Sequence, residues 1–197
     1  MKKKSTGLLF ITPFILFFML FWLIPFIYGI VMSLSKYSLI MGNQGFVGFS
    51  NYIKILVGDS MYHNSFLLGL KNTVIFTACT TPFLVLGSLG LALLLDRLPD
   101  KCKGIFRTIY FASYSVSVTA VAAVFVWLMK GNGGYLNNLM MNIGIIKKAV
   151  PWMEQQPFVW VSLTVATVWW TIGYNMMLFV NALNEIDPQL YEASAID

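Results

Sequence analysis

The sequence predicts an all-α, polytopic transmembrane helical bundle, and three observations carry that prediction. Of its 197 residues 58% are hydrophobic and 11% are charged, where soluble domains carry about a quarter charged residues. Four long apolar runs, over 7–32, 72–95, 105–129 and 158–183, are separated by polar segments. Basic residues gather at the ends of these runs and form no single stripe, a pattern that fits a bilayer and not a nucleic acid.

The first run follows Lys2, Lys3 and Lys4 and is uncharged from Gly7 to Met32. A secretory signal has an apolar stretch of about 7–15 residues before a small-residue cleavage site. This run is far longer and continues through Trp22, Pro25 and Tyr28, so it is expected to stay as a spanning helix. Pro13 and Pro25 are tolerable there if neighbouring groups satisfy the freed carbonyls.

Residues 33–70 read as a loop punctuated by Gly42, Gly45 and Gly48, with Asn51 expected to cap a short helix through Tyr52, Ile53 and Ile55. The lone histidine, His63, has no second ligand or nucleophile close in sequence and is given no catalytic or metal role. In the second run Gly87, Ser88, Gly90 and Ala92 form a small-residue patch suited to close helix packing. A basic loop from Asp96 to Gly104 ends it.

The third run is rich in hydroxyls, and Ser115, Thr119 and Ala123 at four-residue spacing read as one small ridge for helix packing, with a water-lined path as the alternative. In the loop 130–156, Leu136, Leu139, Met140 and Ile143 share a face, with Gly144 as a stop, and predict a short amphipathic surface helix. The fourth run holds Trp169, Trp170, Thr171, Gly173, Tyr174, Asn175 and Asn181. Cys79 and Cys102 have neither metal-site spacing nor a common depth for a disulfide.

After the fourth run the chain turns acidic. Asp187 suits an N-cap and Pro188 the first helical position. Leu190, Ala193, Ser194 and Asp197 then fall on one small-residue face. No stop residue follows, and the helix is expected to be cut there.

Four spans place the N-terminus, the 96–107 loop and the final stretch on one side. Lys and Arg number seven on that side and six on the other. Yet Lys2–Lys4, Arg97, Lys101, Lys103 and Arg107 crowd the helix ends, which puts that side in the cytoplasm. The run interiors carry no charge for a proton relay, which argues against a proton-coupled carrier. No hydrolase or phosphate-loop motif is present, so no catalytic residue, metal or cofactor is assigned and any uphill transport would draw energy from a partner.

The stretch Ala182-Leu183-Asn184-Glu185-Ile186-Asp187-Pro188-Gln189-Leu190-Tyr191-Glu192-Ala193-Ser194-Ala195-Ile196-Asp197 resembles the EAA signature of carbohydrate-type ABC-importer permeases. Ser194 replaces the usual second Ala, and the Gly-Ala that usually follows Asp197 is absent. Weaker marks lie upstream: Ile24-Pro25-Phe26-Ile27-Tyr28, Phe46-Val47-Gly48-Phe49-Ser50-Asn51-Tyr52, Leu70-Lys71-Asn72-Thr73, Phe106-Arg107-Thr108-Ile109-Tyr110-Phe111 and Gly134-Tyr135-Leu136-Asn137. The resemblance covers the whole chain and implies a family fold that is incomplete here, lacking about two spans.

The resemblance implies a subunit without catalysis of its own, in a bacterial-type inner membrane. Its partners would be a second permease, cytoplasmic ABC ATPases and an external solute-binding protein. Leu190, Glu192, Ala193, Ser194 and Asp197 are then the ATPase-coupling positions. Their small residues allow close approach, and Glu192 can accept charge-assisted bonds from a partner cation. For a sugar-like solute the candidate contacts are Trp170, Tyr174 and Asn175, aromatic faces beside a hydrogen-bonding amide, with ordinary interfacial packing as the alternative. The competing reading is a truncated, non-transporting scaffold or remnant of such a permease.

Overall fold

A computed structural model describes residues 3–58, 60–187 and 189. The coupling positions Leu190, Glu192, Ala193, Ser194 and Asp197 lie outside the described residues. The chain divides into two units, 1–70 and 71–197.

The first unit opens with one apolar helix in three segments. α1 (Lys3–Phe18) passes through a π turn (Met19–Leu23) into α2 (Ile24–Ser33). Pro25 brings no N–H to the carbonyl four residues back, and just before it the ladder widens. There the Ile24 N–H reaches Met19 O, five residues back. Over 10–33 this helix is long and apolar enough to span a bilayer, and its side chains are all at least partly exposed. Phe14, Phe18, Trp22 and Phe26 stack along one side with centroids 6.1, 5.3 and 5.7 Å apart.

The segment read as a loop instead holds a hairpin, β1 (Ser35–Ser38) and β2 (Gly42–Phe46), then α3 (Ser50–Leu56). The strands are antiparallel, with Ser38 opposite Gly42 and Ser35 opposite Phe46. Positive φ at Gly42 and Gly45 supplies backbone shapes that side-chain-bearing residues resist. Asn51 is not the expected cap. It lies inside α3, and its Nδ2 donates to Ser33 O at 2.9 Å and Ser35 O at 3.0 Å. His63 is likewise structural: its Nδ1 lies 2.9 Å from Ile55 O.

α4 (Met61–Asp96) starts well before the predicted second run and crosses the boundary between the units. In the second unit it is followed by α5 (Asp100–Ala112), a 3-10 turn (Ser113–Ser115), α6 (Val118–Leu128), α7 (Tyr135–Asn142) and α8 (Phe158–Asn184). α4 and α8 are each long and apolar enough to cross a membrane, and the bent pair 100–115 plus 118–128 makes a fourth span if counted as one.

Packing here rests on close approach, because lipid removes the hydrophobic drive between helices. Ala92, Leu95, Met176 and Val180 form a buried cluster between α4 and α8. Thr80 Oγ1 and Thr164 Oγ1 meet at 3.2 Å in the same interface. Ser88, fully buried, donates back to Leu84 O. A Cβ on Gly87 would press on Ile172, and one on Gly173 would overlap the Tyr110 carbonyl.

The predicted amphipathic helix is α7, but its most buried residue is polar. Asn137, 0% exposed, donates to Gly131 O at 2.7 Å and Val150 O at 2.9 Å, and accepts from Val150 N at 3.1 Å and Trp152 Nε1 at 2.9 Å. Leu136 and Met140 are half-buried, whereas Leu139 and Ile143 are exposed. Trp152 O in turn accepts from Ser162 Oγ at 2.8 Å, which ties the loop to the first turns of α8.

Candidate functional site

The third apolar run is not one straight helix. It bends by 87° between the 3-10 turn and α6. Val116 and Ser117 are extended there, with ψ of 137° and 142°. The hydroxyl run explains the break, since serines offer the backbone bonds that compete with the helical ladder. Ser113 Oγ donates to Tyr110 O at 3.0 Å, and Ser117 Oγ accepts the Ala120 N–H as the N-cap of α6. Ser115 and Thr119 therefore sit on different helices, and the single ridge expected from their spacing does not form.

α8 holds this break in place. Trp170 Nε1 donates to the freed Val116 O at 3.0 Å. Ser113 Oγ also reaches Trp170 O at 3.3 Å. Tyr114 from the 3-10 turn stacks on Trp170 at 5.9 Å and on Tyr174 at 4.7 Å. One turn away Gly173 lets the Tyr110 carbonyl lie directly on α8.

Of the three predicted solute contacts, the structure brings Trp170 and Tyr174 together through Tyr114. It does not add Asn175, whose Nδ2 donates to Thr171 O of its own helix at 2.9 Å. Trp170 Nε1 and Asn175 Nδ2 thus bond within the protein, while Tyr174 stays 39% exposed. Sequence reasoning missed Tyr114 and Tyr110. Their signal was the local Ser-Tyr-Ser-Val-Ser order, in which alternating hydroxyls mark a break.

On the other side of the break lies a cavity of about 1190 Å³ with an almost wholly apolar lining that includes Cys79, Phe83, Tyr110, Trp160, Thr164 and Trp169. Arg107 lines both a cavity of about 480 Å³, lined also by Phe111, Ser115 and Met177, and a small crevice lined by Asp96, Lys103 and Asn184. Arg107 Nε is buried and has no hydrogen-bond partner among the described residues. Lys103 Nζ pairs with Asp100 at 3.1 Å. These cations lie beside the C-terminal end of α8, where its dipole favours positive charge. Just beyond, Asp187 Oδ1 accepts the Gln189 N–H at 3.0 Å, the bond an N-cap makes. Among the described residues no group of His, Cys, Asp and Glu could hold a metal ion.

The chain is 30% identical over 197 residues to the probable ABC transporter permease protein YurN of Bacillus subtilis, covering 100% of this chain and 65% of YurN. It is 31% identical over 191 residues to the lactose transport system permease protein LacF of Rhizobium radiobacter, covering 97% of this chain and 61% of LacF. The chain is homologous to ABC-transporter permeases. A third relative, the arabinooligosaccharides transport system permease protein AraP of Bacillus subtilis, is 28% identical over 100% of this chain and 60% of its own length. No family model matches.

The permease fold is confirmed by a crystal structure of a bacterial ABC transporter that imports the acidic polysaccharide alginate. That chain superposes with a TM-score of 0.78 at 22% identity, over 100% of this chain and 63% of the other. The chain therefore spans 60 to 65% of the length of these curated permeases. The relatives it matches are named as transport-system permeases.

Proposed function

We propose that the chain is the membrane-spanning permease subunit of an ATP-driven ABC importer for a sugar or a related solute. One observation carries this reading: alignment across 97% of the chain with a permease named for lactose transport. The relative named for arabinooligosaccharides supports the same solute class. The subunit works with a second permease, cytoplasmic ATPases and an external solute-binding protein. The last partner is supported by the alginate transporter solved in complex with its pentasaccharide-bound periplasmic protein.

The N-terminus, the 96–107 loop and the end of α8 face the cytoplasm of a bacterial-type cell, an orientation supported by the crowded basic residues at those helix ends. The segment begun by Asp187 presents Leu190, Glu192, Ala193, Ser194 and Asp197 to the ATPase. The EAA resemblance and the Asp187 cap bond support this assignment. Solute passes the aromatic surface of Tyr174, held by Tyr114 and Trp170. Asn175 contributes only if it releases Thr171 O.

The test is co-expression with an ABC ATPase and a second permease of a sugar importer. Glu192→Lys is expected to abolish co-purification and solute-stimulated hydrolysis, since it sets a cation against a partner cation. Retained binding with unchanged stimulation would refute the coupling assignment.

A further inference from the structure

Between β1 and β2 the chain turns through Leu39, Ile40 and Met41. Turn positions ordinarily carry Gly, Pro, Asn, Asp or Ser, which meet the local backbone and water. Here three aliphatic side chains stand 98%, 93% and 75% exposed. At the base of the hairpin Phe46, opposite Ser35, is 76% exposed, and Phe49 beyond it 72%. No charged residue occurs between Lys36 and Lys54.

This apolar tip is pinned to the end of the first apolar helix. Ser35 Oγ donates to Val31 O at 2.8 Å, and the Val47 N–H to Leu34 O at 2.9 Å. Asn51 clamps Ser33 O and Ser35 O, and Tyr52 OH donates to Ser33 Oγ at 2.7 Å. The lipid-facing surface of that helix is therefore continuous with the base of the hairpin. A four-residue strand reaches about 13 Å, so a hairpin lying flat keeps its tip within the interface.

We propose that the hairpin lies along the bilayer surface and that Leu39, Ile40 and Met41 insert into the leaflet where the first span ends. Two features select lipid over a protein partner. The tip carries no charge, and its one polarisable acceptor, the Met41 sulfur, is taken by Gln44 Nε2 at 3.2 Å, which leaves no free hydrogen-bonding side chain on Leu39, Ile40 or Met41 to specify a partner. Its Ile40 N–H is already met by Ser38 Oγ at 3.3 Å, as a lipid-immersed donor requires. Tyr37 stands two residues before the tip and Tyr52 at the base of the hairpin, on Ser33 Oγ, both placed as interfacial aromatics are.

The experiment places the full chain in nanodiscs of phosphatidylethanolamine and phosphatidylglycerol. A nitrobenzoxadiazole label is put at Ile40→Cys, with Cys79 and Cys102 replaced by Ala. Lipids carrying a doxyl group near the headgroup should quench its emission by about half. Aqueous iodide should have little effect. Emission that ignores doxyl lipid and is quenched by iodide like the free dye overturns the proposal. Shielding that develops only on adding a soluble partner, or on raising the protein concentration, also overturns it. In the unlabelled chain, Met41 should react with a water-soluble oxidant about fivefold more slowly than free methionine, and equal rates would again overturn the proposal.

Discussion

The first apolar helix and α8 have similar lengths, yet the first, the more apolar of the two, is the less buried. Over 10–33 every side chain is at least partly exposed. In α8, Ser162, Thr164, Gly173, Met176 and Val180 are buried. The difference lies in small and hydroxyl residues. The first helix is built of Phe, Leu and Ile, and its aromatics stack on one another; nothing lies within 4 Å of where a Cβ on Gly29 would sit. α8 puts a glycine and hydroxyls where its neighbours come closest. Apolarity makes a span, whereas small residues make a span that packs.

The sharpest way to break this comparison is to add a methyl group to each helix. Gly173→Ala drives a Cβ into the Tyr110 carbonyl and is expected to cost about 3 kcal/mol or more, since backbone must shift. Gly29→Ala meets nothing and should change stability by less than about 0.5 kcal/mol, or improve it through helix propensity. Unfolding of both variants in detergent by SDS titration compares them directly. Equal costs would refute the contrast.

A smaller effect tests the break that α8 supports. Trp170→Phe keeps the stacking on Tyr114 but removes the bond to Val116 O, for a loss of about 1 kcal/mol. Hydrogen exchange should quicken at the start of α6 and stay unchanged in α4. The smallest expected effect is that of Thr80→Val, which removes one hydroxyl from the Thr164 pair. Such interhelical bonds average about 0.6 kcal/mol in membranes, so the loss should be barely resolvable in the same titration.

The apolar spans were legible in the sequence because hydrophobic length alone decides them. The regions misread were those where tertiary bonds override local pattern. The hairpin was missed because Leu39-Ile40-Met41 lacks turn chemistry, and only Gly42 and Gly45 hinted at unusual backbone. Asn51 looked like a helix cap, but its partners are carbonyls at Ser33 and Ser35, which local sequence does not reveal. The start of α4 was placed too late because Tyr62-His63-Asn64 is polar; their helix is anchored by His63 N on Ser60 Oγ and Nδ1 on Ile55 O. At the candidate site Trp170 and Tyr174 stand out in the sequence as aromatic candidates for solute contact, and the structure places both against Tyr114. Their actual companion, Tyr114, comes from the break in another helix, and the hydroxyls around it had been assigned to packing.

The partner groups of the Asn137 amide carry a consequence for how the protein is made. Gly131 precedes the amide in the chain, whereas Val150 and Trp152 follow it, and Trp152 is in turn held by Ser162. A ribosome that has delivered residues up to 149 leaves a carboxamide with most of its bonds unmade. The amide can complete its bonds only once Val150 and Trp152 have been made, and the tie from Trp152 O to α8 only once Ser162 has. The order in which segments are translated thus sets when the 130–157 loop can acquire its shape, and a pause before residue 150 would leave the amide unsatisfied.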